Sequence, residues 1–417
     1  MRPIQTSGSC STLVDVSEND SSKLLVVPPP SSLECRIGSS ENNCSGTLED
    51  TEFVEPTHLY LPSQDDVDLF YDDDSDDEDE CRDSPWVQKS LSSGTSQQRQ
   101  RLQLPAFEGE EVPLDKYLRT IPSLIERAEE LQAQPVCVLS DKTTEGSTVL
   151  NICQGEIGHA TAKQADVIVS DRATTCHIVA VRSTSGDDAG SSEPLVSLCH
   201  IDKAEYEDCI RSMVETHKDH HDELALDAID MDIHLVGGYD DGEGTSLAIT
   251  EHLLHIFGQI STEEKDDITM TLRTCAVSSL NDTGFGAPIG RGLAMEIATG
   301  HVYLASVDDS VAGPAPTLRA ARLWSTELRT KLSVVHTQFS EVYTISVEPF
   351  EFFTFKTLNA ILSLPDHLML QYTSTSPDVE EDDFCHRVRT TLQYIRTHQP
   401  EDIFGPETNQ PVQYSYY

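Results

Sequence analysis

The sequence predicts an α/β (α+β) fold, a layered sandwich in which central, mainly antiparallel β-sheets are flanked by helices and preceded by a disordered N-terminal tail. Strand-like segments outnumber amphipathic helical segments, and the helical segments fall between groups of strands. No internal repeat of fixed period divides the 417 residues. We predict an extension over 1–100, one folded domain over 101–400 and a C-terminal tail over 401–417.

The first hundred residues favour a disordered extension that is rich in acidic residues and serine. Between Asp65 and Glu80, 11 of 16 residues are acidic, and such a run cannot bury enough apolar surface to offset the entropy of ordering it. A solvated tail is the first interpretation. The alternative is a docking or phosphorylation segment, because Ser75 lies among acids close to the short apolar run Leu69–Tyr71.

Hydrophobic spacing predicts the elements of residues 101–400 in order. The predicted strands are rich in β-branched residues, and the predicted helices repeat apolar residues at intervals of three and four. The predicted strands are Val136–Ser140, Val167–Ser170, His177–Arg182, Leu195–Asp202, Asp232–Asp241 with a Gly-Gly turn, Ile268–Asp282, and a hairpin over Gly292–Val307. The predicted helices are Ser123–Gln134, Ala204–His220, Thr245–Ile260 and Cys385–His398, and Ser185–Glu193 is predicted as a loop.

Charge and composition exclude several classes of partner. The formal net charge is −44, which repels the phosphates of nucleic acid and of anionic membranes, so we expect neither as a partner. No apolar stretch approaches the roughly 20 residues of a spanning helix, and the N-terminus lacks the pattern of a secretory signal. The 11 cysteines include no CxxC pair, which favours reduced thiols in the cytoplasm, with the nucleus as a second location.

The stretch SDRATTCHIVAV places Cys176 beside His177 at the start of a predicted strand. A cysteine nucleophile needs a base within hydrogen-bond reach. Successive side chains of a strand point to opposite faces, so we expect His177 to point away from Cys176. The alternative is that Cys176 is a non-catalytic packing residue, since free cysteine is among the most buried residue types.

The neighbouring predicted strand supplies a better base. If the two strands pair antiparallel, His200 lies beside the cysteine, and Ser170 could return as an orienting hydroxyl. The residues just before the cysteine, including Thr174 and Thr175, break the strand pattern and could turn backbone N–H groups toward an oxyanion. His200 by itself could equally be a core or surface histidine.

Three further histidines follow one another on a predicted helix in the segment HKDHHDE. Histidines at such spacing could indicate a metal site, but the flanking acids favour a solvated helix face. We therefore predict no metal site at these residues, which are His217, His220 and His221.

Five blocks of sequence occur in order between about Leu104 and Pro400: SDRATTCHIVAVR, DIHLVGGYDD, LND, LRAARLW and STSPDVEEDDFCHRVRTTLQYIRTHQP. In combination they resemble the protein N-terminal asparagine amidohydrolase family, which deamidates an N-terminal asparagine to aspartate for the arginylation branch of the N-degron pathway. The resemblance implies that the nucleophile is Cys176. The family in turn resembles bacterial chemoreceptor glutamine deamidases with a Cys–His–Thr constellation, which implies His200 and, in place of the threonine, Ser170.

The resemblance also implies a mechanism without a metal or an organic cofactor. A cysteine thioester would form as ammonia leaves and would then be hydrolysed. The substrate would be a protein or peptide with N-terminal asparagine, and we expect a monomer. A glutamine deamidase of folded proteins and a non-catalytic adaptor that uses the acidic tail are the alternatives.

An N-terminal substrate carries an α-ammonium group, which needs a carboxylate or carbonyls when it is buried. Asp202 and Asp282 match acids in the family blocks and are candidates for this role, although either could instead cap a strand or turn. The pair Gly237 and Gly238 could supply a ligand contact. The alternative is a turn that allows close approach of the backbone.

Overall fold

The computed structural model describes residues 114–185, 193–203, 206–223, 228–264, 267–325, 331–352, 355–405 and 410–415. The predicted extension over 1–100 lies outside the described residues, as does 186–192 of the predicted loop. Within the described ranges, no helix is both long enough and apolar enough to cross a membrane.

The described chain begins with two helices, continues through six successive strands and then mixes helices with strands. The strands are β1 Cys137–Leu139, β2 Val149–Asn151, β3 Glu156–Thr161, β4 Val167–Ser170, β5 His177–Ser185, β6 Leu195–Ile201, β7 Ile229–Gly237, β8 Ile268–Val277, β9 Leu293–Glu296, β10 Val302–Val307, β11 Ser333–His336, β12 Thr344–Val347 and β13 Val412–Ser415. The helices are α1 Leu114–Leu118, α2 Pro122–Gln132, α3 Glu207–Glu223, α4 Thr245–Glu263, α5 Pro316–Ala321, α6 Phe355–Leu362, α7 Asp366–Thr373, α8 Phe384–Thr397 and α9 Pro400–Phe404. Short 3₁₀ turns follow β8 at Ser278–Asn281, β10 at Asp309–Val311 and α5 at Arg322–Trp324.

Two sheets form the centre of the fold. The small sheet has the strand order β1-β10-β9-β4-β2, and the large sheet has the order β11-β3-β6-β5-β7-β8. Of the ten pairings between described strands, including the separate β12–β13 pair, six are antiparallel. The predicted layered sandwich with mainly antiparallel sheets is therefore confirmed.

Strand alternation divides the core into two layers. On β5, Ile178 and Ala180 pack with residues of the small sheet such as Ile168 in one buried cluster. Val179 and Val181, which alternate with them, pack on the other side against residues of α3 and α4. The face of the large sheet that meets the small sheet is here called the inner face, and the face under α3 and α4 the outer face.

Most predicted elements are present, with shifted ends. The predicted strand over Ile268–Asp282 stops at Val277 and continues as a 3₁₀ turn, whose first residue Ser278 has a positive φ of 45°. Strand β3 was not predicted, because its sequence EIGHAT contains glycine, alanine and histidine rather than a β-branched run. It is nevertheless fully buried, since it lies between β11 and β6.

The predicted domain boundaries at 100 and 400 stay predictions. Strand β13 lies in the predicted C-terminal tail and pairs with β12, from Thr344 with Ser415 to Val347 with Val412. The described part of the tail is thus hydrogen-bonded to the body of the fold.

Candidate active site

Cys176 and His200 share the inner face of the large sheet. Strands β5 and β6 pair antiparallel, with Ile178 opposite His200. Cys176 lies two residues before Ile178 and belongs to the same inner cluster, with 8% of its surface exposed. The pairing of the two strands therefore brings the predicted base to the side of the sheet that carries the predicted nucleophile.

Ser170 reaches His200 from the opposite sheet. It is the last residue of β4 in the small sheet, and its Oγ lies 2.8 Å from Nδ1 of His200. Both side chains are buried, and Nε2 of His200 has no hydrogen-bond partner among the described residues. When Nδ1–H donates to the serine oxygen, the Nε2 lone pair is free to accept a proton.

Burial keeps both reactive groups uncharged in the free protein. Burial raises the pKa of the Cys176 thiol well above its ordinary value, and the carboxylates of Asp202 and Glu380 raise it further. Burial also lowers the pKa of His200 to about 4, against the opposing effect of Asp202. At neutral pH the site thus holds a thiol and a neutral imidazole, so that the histidine is in its basic form.

The turn before Cys176 is held from two sides. Ala173 N–H donates to the Arg291 carbonyl at 2.8 Å, and the Cys176 carbonyl accepts from Gly238 N–H at 2.8 Å. Hydrogen bonding by the backbone at Cys176 and Thr174 partly offsets the rise in the thiol pKa, as expected for N–H groups that face the sulfur. An oxyanion role for this turn stays a prediction.

The hydroxyls of Thr174 and Thr175 contact the STSP block. The Ser376 hydroxyl donates to Thr174 Oγ1 at 2.7 Å, and Thr175 Oγ1 lies 2.7 Å from Thr375 Oγ1. These side chains anchor the turn to the segment between α7 and α8, which leaves the backbone rather than the hydroxyls as the oxyanion candidate.

The glycine pair lies behind Cys176. Gly237 and Gly238 have positive φ angles of 126° and 65°. A Cβ on Gly237 would lie 2.3 Å from the Cys176 carbonyl oxygen, and one on Gly238 would lie 2.6 Å from the His177 ring. The contacts fit a turn with close backbone approach. The role in substrate binding stays a prediction.

His177 points away from Cys176, as strand alternation predicts. Its Nε2 lies 2.7 Å from the hydroxyl of Thr250 on α4, which in turn lies 2.8 Å from the Ser278 hydroxyl. The ring is fully buried on the outer face. The adjacent cysteine and histidine therefore do not form a pair.

The two predicted acids differ in their surroundings. Asp202 is close enough to Cys176 to raise the thiol pKa, and it accepts hydrogen bonds from Tyr206 Oη at 2.9 Å and Gln154 Nε2 at 3.2 Å. Asp282 accepts from the backbone N–H groups of Gly284 at 2.5 Å and Asp240 at 3.3 Å. Asp282 thus caps its loop, which is the alternative that the sequence left open, and its binding role stays a prediction.

Glu380 is a site residue that the sequence pattern does not single out. It is partly buried, it accepts hydrogen bonds from the hydroxyls of Ser374 and Ser376, and its charge raises the pKa of the Cys176 thiol. Burial raises its own pKa. It lies in the STSPDVEEDD block, so its place in a motif was the available signal, but neighbouring acids made it indistinguishable from a solvated run.

The predicted solvated face of three histidines is wrong. His217 is fully buried on the outer face, where its two ring nitrogens lie 2.6 Å from the Ser183 hydroxyl and 2.8 Å from the Ser197 hydroxyl. His221 Nε2 lies 2.8 Å from the same Ser183 hydroxyl, and His220 contacts the Glu193 carbonyl at 3.0 Å. The described residues contain no group of His, Cys, Asp or Glu that could hold a metal ion. These histidines face the sheet because α3 packs on it with this side.

Residues 139–416 match the family described as protein N-terminal asparagine amidohydrolase. The chain belongs to this family. Among curated proteins, it is 30% identical to the protein N-terminal asparagine amidohydrolase of Sus scrofa over 305 residues, which cover 71% of this chain and 86% of the pig protein. It is 29% identical to that of Homo sapiens over 303 residues (72% and 87%), and 30% identical to that of Mus musculus over 323 residues (74% and 90%).

The amidohydrolase match contains every residue of the site described above. It begins at Leu139, within β1, and runs through β13. The acidic extension over 1–100 lies outside it.

Proposed function

We propose that this chain hydrolyses the side-chain amide of an N-terminal asparagine in a protein or peptide, giving N-terminal aspartate and ammonia. Family membership supports the reaction class. The observation that carries the chemistry is the Ser170–His200 hydrogen bond, which orients a buried imidazole with a free Nε2 on the face that carries Cys176.

In the proposed acylation step, Nε2 of His200 takes the proton of the Cys176 thiol, and the thiolate attacks the carboxamide carbon. Backbone N–H groups of the turn at Thr174–Cys176 stabilise the oxyanion. The imidazolium then protonates the leaving nitrogen, the C–N bond breaks, and ammonia departs from a thioester.

In the proposed deacylation step, His200 takes a proton from water, which attacks the thioester carbonyl. The C–S bond breaks, and the sulfur recovers its proton from the histidine. The net reaction consumes one amide and one water and yields one carboxylic acid and one ammonia. No redox step is involved, and the side chains present supply every proton transfer.

Substrate charge explains how a thiol with a raised pKa is activated. Asp202 and Glu380 both disfavour the thiolate in the free protein. An α-ammonium group bound beside these carboxylates would offset part of their negative charge and so lower the thiol pKa in the complex. Asp282 is a weaker candidate because it caps backbone N–H groups of its own loop, whereas the charge of Asp202 acts directly on the Cys176 thiol.

The proposed product places the protein upstream of arginylation in the N-degron pathway. We extend the proposal to a monomeric cytoplasmic or nuclear enzyme with no nucleic-acid or membrane partner. The net charge of −44 supports the last point.

Ammonia release from four matched peptides tests the proposal. The peptides begin with Asn, Gln or acetyl-Asn, or carry glutamine only internally. We expect turnover of the first peptide alone, and loss of turnover in Cys176→Ala, while the control Cys199→Ala changes a buried cysteine on the outer face. Turnover of an internal glutamine would instead favour a deamidase of folded proteins, and release of ammonia by Cys176→Ala would exclude the nucleophile.

A further inference from the structure

A tight turn forms a hydrogen bond with the main chain of His200. This turn, Cys153–Glu156, connects β2 of the small sheet to β3 of the large sheet. The N–H group of Gly155 donates to the His200 carbonyl at 3.0 Å. Gly155 has a positive φ of 75°, which glycine adopts without strain. Ser170 thus holds the imidazole ring of His200, and Gly155 holds the main chain of the same residue.

A buried ion pair fixes the end of that turn. Arg319 on α5 and Glu156 are both almost fully buried, and the guanidinium makes two bonds to the carboxylate, Nε to Oε1 at 3.0 Å and Nη2 to Oε2 at 2.5 Å. Nη2 of Arg319 also donates to the Asn151 carbonyl at 2.6 Å. The Glu156 carboxylate in turn accepts from Cys153 N–H at 2.8 Å. The pair therefore binds both sides of the turn.

A second arginine reaches the residue that contacts His200. Arg322, in the 3₁₀ turn after α5, is buried, and its Nη2 donates to the Gly155 carbonyl at 3.3 Å. The same carbonyl accepts from Ser333 N–H at 3.0 Å. Both arginines belong to the LRAARLW block, which no step of the proposed reaction uses.

Stability alone is a poor explanation for this arrangement. Moving two charges out of water is costly, and a buried pair is often no more stabilising than apolar residues of similar volume. A rigid, bidentate pair does define position sharply, because its hydrogen bonds tolerate little displacement. The element whose position it defines is the turn that contacts His200.

We propose that Arg319, Glu156 and Arg322 are positioning residues that hold the main chain of His200, so that its imidazole spans Ser170 and Cys176. This proposal rests on the proposed function, which makes His200 the base. A displacement of about 1 Å in such a site can lower the rate about a hundredfold, even when the altered residue touches no reacting atom.

Arg322 offers the cleanest test. Its removal leaves the Gly155 carbonyl paired with Ser333, so Arg322→Met should fold. We expect Arg322→Met to lower kcat for an Asn-peptide about tenfold or more with an unchanged KM, and Arg322→Lys to restore part of it. The double variant E156Q/R319M removes both buried charges together. It should likewise lower kcat and leave KM unchanged. The matched control is Arg273→Met, which breaks the partly exposed ion pair with Asp232.

A folded Arg322→Met with the kcat of the unaltered protein would overturn the proposal, and so would equal loss in the Arg273→Met control. Alkylation of Cys176 by iodoacetamide, measured by mass spectrometry, separates this failure from failure of the proposed function. If the unaltered protein releases no ammonia from Asn-peptides, the function fails. The positioning role still requires that Arg322→Met slow alkylation as His200→Ala does. An unchanged alkylation rate in both Arg322→Met and His200→Ala would overturn the positioning role of Arg322 and the role of His200 as the base.

Discussion

The Ser170 hydroxyl and the His200 imidazole Nδ1 lie 2.8 Å apart and belong to different sheets of the sandwich. The bond therefore forms only when the small sheet packs on the large one. Within the described part of the chain, Nε2 of this histidine has no hydrogen-bond partner, and the ring belongs to the inner face that also carries Cys176. The orientation of the His200 ring therefore depends on the packing of the two sheets.

Replacement of Ser170 tests the orienting bond. Ser170→Ala removes the partner of His200 Nδ1, which costs about 1 kcal/mol of stability and frees the ring to rotate or to change tautomer. We expect kcat for ammonia release to fall by about tenfold or more, with KM unchanged. Ser170→Thr keeps the hydroxyl and should retain more activity than the alanine variant. Equal activity in the alanine variant and the unaltered protein would contradict the orienting role.

Replacement of Glu380 should change substrate binding and thiol reactivity in opposite directions. Glu380→Gln removes a negative charge that raises the thiol pKa, so the pKa falls and alkylation of Cys176 at pH 7 becomes faster. The same variant should raise KM for an Asn-peptide several-fold, because the α-ammonium loses a partner. Asp202→Asn should behave likewise. The control is Asp382→Asn, an exposed acid two residues further on, and slower alkylation in Glu380→Gln would contradict the prediction.

Buried histidines on the outer face should make the protein sensitive to acid. Burial lowers the pKa of His159 from 6.5 to about 4 and holds that of His217 well below its ordinary value. Each stays neutral when folded and gains a proton when unfolded, so stability falls as the pH drops below 6.5. The contribution of His159 is lost as the pH falls from 6.5 toward 4. Each such histidine lowers the free energy of unfolding by about 1 kcal/mol per pH unit within that window.

Urea unfolding at pH 7 and pH 5 measures this loss. His217→Gln should show a smaller drop in the free energy of unfolding between the two pH values than the unaltered protein shows. His301→Gln, at an exposed position, is the control and should leave the drop unchanged. An identical drop in the His217 variant would show that these histidines do not govern acid stability.

Deletion of residues 1–100 tests the predicted domain boundary. The family match begins at residue 139, so we expect the remaining chain to turn over a short Asn-peptide with kcat and KM within about twofold of the full chain. Measurement of ammonia release from both proteins at equal concentration decides this. Loss of activity in the shortened chain would mean that the extension contributes to the folded enzyme.

Local pattern was sufficient for much of the fold. Enrichment in β-branched residues located the strands that carry Ser170 and His200, and the alternation of side chains along a strand correctly predicted that His177 points away from Cys176. It failed for strand β3, whose burial comes from its position between two other strands. It also failed for His217, because the acids on α3 obscured which face of the helix would pack.

The sequence by itself determined the candidate nucleophile, the direction of its neighbouring histidine and the family, since each depends on residue order and on the fixed period of a strand. Only the tertiary structure decided that Ser170 meets His200 across two sheets, that Glu380 acts on the Cys176 thiol, and that Arg322 contacts the turn behind His200. These relationships join residues that are distant along the chain. Packing of the layers sets their distances, and no local period encodes it.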